Sequence, residues 1–232
     1  MKQCDITKVG ILLKLFSIDP DKRDDKWRNK FYANVVDASF RCETPQIFVG
    51  PDGFPYFSLL SPEPMKPFDS FCVYNLMESA TNDGFGIAIN RQGNSVDWVF
   101  SYGDLLTLRL TGNLYPAVAS IPNRPPEKIA VSSGERVLTG APSESYLPSY
   151  TRAVIRRFMQ KSFGIAEPGV LLMHRPADPQ PQQLLFSVFP EQFHSEEEYF
   201  NTLKWLSWFL PRHYSVTGIS KASDLCRDFF PL

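Results

Sequence analysis

The sequence predicts an α+β protein, with antiparallel sheets packed against amphipathic helices in two αβ halves. Three observations lead there. Hairpin signals recur in both halves, as two extended runs around a Gly/Pro/Asp or Pro/Gln turn. Segments with helical periodicity and cap residues stand between them. The 20 prolines fall in clusters that separate the periodic segments. Paired strands followed by helices form sheets covered on one side by helices.

Near the start, Asp5 or Thr7 is placed to cap a short helix whose face carries Val9, Leu12, Leu13 and Phe16. A strand is the alternative there. Asp19-Pro20 reads as an N-cap followed by proline at the first helical position, with Trp27, Phe31, Val35 and Ala38 as the apolar stripe of the helix beyond. Gln46 to Val49 and Phe54 to Leu59 flank Gly50-Pro-Asp-Gly53, a hairpin. A helix from about Phe68 to Thr81 shows Phe68, Cys72, Leu76 and Ala80 on one face and stops at Asn82-Asp-Gly84. Phe85, Ile87 and Ile89 alternate as a strand, and Val96, Trp98 and Phe100 as its partner. Gly84-Phe-Gly86 marks a bulge or a close backbone approach. Ser101-Tyr-Gly-Asp104 is a capping box for a short helix ending at Gly112.

The chain is expected to divide into an αβ half over 1–115, a Pro-rich connecting segment over 116–148 and an αββα half over 149–232, with a single shared core as the alternative. Short strands are expected at Lys128 to Val131 and Arg136 to Thr139. In the last part, a helix from Ser149 to Ser162 is closed by Gly164. Val170 to His174 and Gln183 to Phe189 form a hairpin. A helix from Ser195 to Leu210 follows, capped by Ser195 with Glu198 and stopped by Pro211. Tyr214 to Ile219 returns as a strand, and Ser223 caps a final turn. No internal repeat is visible.

Composition narrows the function classes. Lys and Arg total 24 against 25 Asp and Glu, a net charge of -1. Nucleic-acid binders usually carry a basic excess, so this balance argues against one. No apolar run approaches the roughly 20 residues that span a bilayer, so no membrane insertion is expected. Cys4, Cys42, Cys72 and Cys226 show no C-x-x-C spacing, which fits reduced thiols in the cytoplasm. The three histidines, His174, His194 and His213, lack metal-ligand spacing, and no phosphate loop or nucleophile elbow appears. No metal, cofactor or catalytic residue is assigned. Asp97 and Asp104 flank Trp98, Phe100 and Tyr102 and read as a strand-end turn and a helix cap, with carboxylates beside an aromatic cleft as the alternative.

The remaining signal is aromatic. Around the Ser195 helix, Tyr199, Leu203, Leu206 and Leu210 stack into one stripe, while Trp205 and Trp208 fall off it beside Lys204. Either another layer of the protein covers these indoles or a partner does. On the Ser149 helix, Arg152, Arg156, Arg157 and Lys161 line one side. Trp205, Trp208, Lys204, Arg152, Arg156 and Arg157 are therefore the candidate binding residues. The expected function is a non-enzymatic cytoplasmic interaction protein: an adaptor, an inhibitor-like partner or an assembly accessory. It would bind an unidentified protein partner through an aromatic surface. The alternative is a hydrolase-like enzyme assembled from scattered carboxylate, Cys and His residues. A weaker one is phosphate or nucleic-acid binding by the arginine helix.

Overall fold

The computed structural model describes residues 2–93, 95–114, 126–129, 135–176, 178 and 180–232. It is an α+β structure that divides into two compact units, Met1–Ala119 and Ser120–Leu232.

In the first unit, the N-cap of α1 (Thr7–Phe16) is Ile6, which makes no side-chain cap bond, rather than Asp5 or Thr7; Asp5 just before it accepts from the Thr7 amide and hydroxyl. Its buried residues are Val9, Leu12 and Leu15. Leu13, expected on that face, stays 48% exposed because 100° per residue carries it round to the opposite edge. Asp19-Pro20 opens only a 3₁₀ turn, Pro20–Lys22. Asp24 then caps α2 (Asp25–Val35), accepting from the Trp27 amide at 2.8 Å. Strands β1 (Arg41–Val49) and β2 (Pro55–Leu60) form the expected antiparallel hairpin. Their register shifts between Cys42 and Ile47, and Ile47 and Val49 are exposed on this edge strand.

Helix α3 spans Val73–Asp83, later than expected, with Cys72 as its N-cap rather than on its face. Gly84 ends it in the left-handed conformation at φ 92°, where a Cβ would be strained. Strand β3 (Gly86–Ile89) lies between β2 and β4 (Trp98–Phe100), parallel to the first and antiparallel to the second. Gly86 does mark a close approach, since a Cβ there would meet the Tyr56 ring and the Phe100 carbonyl at 2.6 Å. The capping box at α4 (Tyr102–Thr111) has both arms: the Asp104 amide donates to Ser101 Oγ and the Ser101 amide donates to Asp104 Oδ2. The core gathers Trp27, Phe31, Trp98 and Phe100, with Phe31 stacked on Trp27 at 4.9 Å between ring centres.

In the second unit, α5 (Ser149–Phe163) precedes the hairpin of β7 (Gly169–His174) and β8 (Gln182–Phe186). Helix α6 (Glu196–Ser207) crosses to β9 (Ser215–Gly218), which pairs parallel with β8. Two short strands come from the stretch expected to be a connector. β5 (Glu127–Lys128) joins β9, and β6 (Leu138–Gly140) joins β7. The rest of the strand expected after Lys128, at 130 and 131, lies outside the described residues, as do prolines 116, 122 and 125. A 3₁₀ turn (Asp224–Arg227), started by Ser223, leads to β10 (Phe230–Pro231) beside β7.

Both sheets are mixed. Antiparallel hairpins dominate, but β2–β3 and β8–β9 are parallel pairs joined by crossover helices. The two units also follow the same path: helix, hairpin, crossover helix, then a third strand parallel to the second. Even the offset agrees. Tyr56, second in β2, faces Gly86, first in β3; Gln183, second in β8, faces Ser215, first in β9. This repetition of chain path leaves no repeated sequence.

The second crossover is close-fitting. Tyr199, Leu203 and Leu206 of α6 are fully buried, and a Cβ added at Gly218 would overlap the Tyr199 hydroxyl. That hydroxyl is buried and has no hydrogen-bond partner. We expect Gly218→Ala to lower stability by about 1–3 kcal/mol through overpacking. Tyr199→Phe, which deletes the orphan oxygen, is expected to be neutral or stabilising, and to recover part of the Gly218→Ala loss in the double variant. Urea denaturation of the three variants checks this. A large loss from Tyr199→Phe alone would show that the hydroxyl is satisfied.

Candidate functional site

Five rings join α5 to α6. Trp208 meets Phe209 edge-on at 4.9 Å, Phe209 meets Phe158 at 4.8 Å, and Phe158 meets Phe163 edge-on at 5.3 Å. Phe163 in turn stacks nearly parallel on Trp205 at 6.1 Å and 6°. A tryptophan therefore sits at each end. Phe209 is buried, whereas Trp208 and both phenylalanines are half-buried. Trp205 is different, with 44% of its surface exposed.

The helix geometry explains this. Tyr199, Leu203 and Leu206 face the β9 side, as the stripe predicts, and Ser195 Oγ accepts the Glu198 amide at 3.1 Å to start the helix. Glu198 does not return the bond to Ser195. Its Oε2 accepts from the His194 amide instead, at 3.1 Å. Trp205 precedes Leu206 by one residue, so it lies about 100° away from the buried stripe. Lys204, one residue earlier again, is exposed.

The arginines of α5 are held differently. Arg152 is half-buried, ion-paired with Glu144 and hydrogen-bonded to the Pro142 carbonyl. Arg156 donates to the carbonyl of Leu232 at 3.0 Å. Arg157 is exposed. The six candidate residues are thus two groups: Trp205, Trp208 and Lys204 on α6, and three arginines on α5, two of which anchor other parts of their own unit.

The scattered groups considered for hydrolysis are divided between the two units, with Asp104, Cys42 and Cys72 in the first and His194 and His213 in the second. Asp104 is buried in the capping box of α4. His194 is exposed before α6, and burial lowers the His213 pKa beside the Tyr214 ring. Burial pushes the Cys42 thiol up to about 11, helped by the charge of Asp69. Burial, with a hydrogen bond that the Cys72 thiol donates to Cys4, raises Cys72 to about 12. Raised thiols are poor nucleophiles near neutrality. Among the described residues, no group of three or more His, Cys, Asp or Glu could hold a metal ion.

Asp97 has a more open setting. It lines a cavity of about 300 Å³ in the first unit with Arg41, Ser61, Asn90 and Gln92. Asn90 is one of two non-glycine residues with positive φ among those described, at 54°. Its side chain is fully engaged: Oδ1 accepts the Ser61 amide at 2.6 Å, and Nδ2 donates to Ser61 Oγ and Asp97 Oδ2 at 3.0 and 2.8 Å. The visible signal for this place was the turn Asn90-Arg-Gln-Gly93, since Asn tolerates the left-handed region better than most residues.

The raised thiols carry a pH dependence with a definite sign. An unfolded thiol ionises near its ordinary value of 9.0, while Cys42 and Cys72 hold their protons to about 11 and 12 in the fold. Above pH 9 unfolding therefore releases protons, so stability falls as pH rises through that window; below pH 9 these thiols are protonated in both states and add no pH dependence. Urea midpoints between pH 8 and 11 check this, with Cys42→Ala and Cys72→Ala expected to flatten the decline.

Comparisons with protein-family models, with curated proteins and with solved structures each returned no match.

Proposed function

We propose that this chain is a non-enzymatic interaction protein of the cytoplasm, and that it docks a protein partner through the face of α6 that carries Trp205. The single observation behind this reading is the placement of that indole. One side of it rests on Phe163, and much of the rest meets solvent. Tryptophan is enriched among the residues that dominate binding energies, because a large rigid ring loses little entropy when covered. Trp208 and Phe163 extend the apolar area, and Lys204 supplies a charge at its rim, the usual arrangement of an interface centre and its border. The cytoplasmic assignment draws on four separate cysteines, all free thiols, which suit a reducing compartment.

The ring ladder gives the test its contrast. Trp205→Ala removes a half-exposed ring and is expected to cost about 1 kcal/mol of stability. The same change is expected to weaken a captured partner about 30-fold, as a binding hot spot does. Trp208→Ala, which breaks the ladder at Phe209, costs more stability. The partner is captured from native lysate, identified and purified, and its affinity is then titrated against each variant. Unchanged affinity with Trp205→Ala, or a stability loss above about 3 kcal/mol, would sink the proposal.

A further inference from the structure

We propose that the cavity beside Asn90 binds a small free amino acid with an aliphatic side chain. Its place in the sheet is the first reason. Leu60 ends β2 and Ser61 follows it, and Asn90 follows β3, so the cavity opens at the carboxyl ends of two parallel strands. Ligands of open α/β sheets gather at that end. Arg41, paired with Leu60 across the hairpin, and Asp97, just before β4, come from the antiparallel neighbours on either side.

Backbone conformation is the second reason. Asn90 is held at φ 54° by three hydrogen bonds through its own side chain, two donated and one accepted, and left-handed non-glycine residues concentrate at ligand sites. These bonds also fix Ser61 and Asp97 against each other before anything binds.

The charges select the ligand. Arg41 lines the cavity, and its guanidinium pairs with Glu63 at 3.4 Å through Nη2. A guanidinium carries five N–H donors, so it can take a second carboxylate beside that one. Asp97 lines the same cavity with one oxygen taken by Asn90, so it opposes a simple anion and favours an ammonium. Leu60 and the half-exposed Leu13 supply an apolar wall. A cation, an anion and an aliphatic wall around about 300 Å³ match the three parts of one small zwitterion. At the corresponding strand ends of the second unit, the chain's own Glu191 carboxylate accepts from Ser220 Oγ and the Lys221 amide.

The full chain is titrated calorimetrically with L-leucine, with acetate, inorganic phosphate and isopentylamine as single-charge controls. Leucine is expected to bind and the controls to bind at least tenfold more weakly. Arg41→Gln and Asp97→Asn are each expected to weaken leucine by about tenfold or more, as for lost charge-assisted bonds. Arg41→Lys, which keeps the charge without the fork, falls between. Should Asp97→Asn not fold, amide shifts of Ser61, Asn90 and Gln92 on adding leucine to the unaltered chain replace it and are expected to move first. Absence of leucine binding, acetate or phosphate binding as tightly as leucine, unchanged affinity in both arginine variants, or shifts elsewhere would each overturn the proposal. Trp205→Ala should leave leucine binding unchanged.

Discussion

A helix that links two parallel strands must lay one apolar stripe along the sheet it crosses. In the second unit that requirement fixes much of the rest. Tyr199, Leu203 and Leu206 occupy the stripe, and the missing side chain at Gly218 lets the helix approach β9 closely. Once those positions are spent, Trp205 has no place beneath the helix. It can only lie to the side, on Phe163, with its remainder open. The exposure of the indole is thus a geometric result of the crossover and not a failure of packing.

Local chemistry was readable from the sequence where a residue acts on its near neighbours. Ser101 with Asp104, Ser195 with Glu198 and Gly164 after α5 all mark the ends they were expected to mark. The hairpin around Gly50 and Gly53 follows for the same reason. Parallel pairing was not readable, because β2 and β3 meet only after 25 intervening residues (61–85), and nothing in either strand records its neighbour. Helix α3 starts late because Cys72 has extended backbone, with φ -137° and ψ 155°, which side-chain periodicity does not reveal.

The candidate site shows the same division. The buried stripe of α6 and the displaced tryptophans followed from periodicity alone. The fate of the arginines did not. Arg156 reaches Leu232, 76 residues along the chain, and Arg152 finds Glu144 before its helix begins. The cavity around Asn90 needs Arg41, Ser61 and Asp97 from three separate segments. Its convergence is a property of the sheet and is invisible in any one stretch of sequence.

The outer strand of the first sheet carries a feature that opposes edge-to-edge pairing. β1 exposes Ile47 and Val49 along an edge, a pattern that invites another strand to add on. Its register breaks between Cys42 and Ile47, and Pro45 within that break has no amide hydrogen to offer. An incoming strand could zip along only a few residues before losing step. The edge is thereby blunted against fibril growth while its apolar residues remain in place.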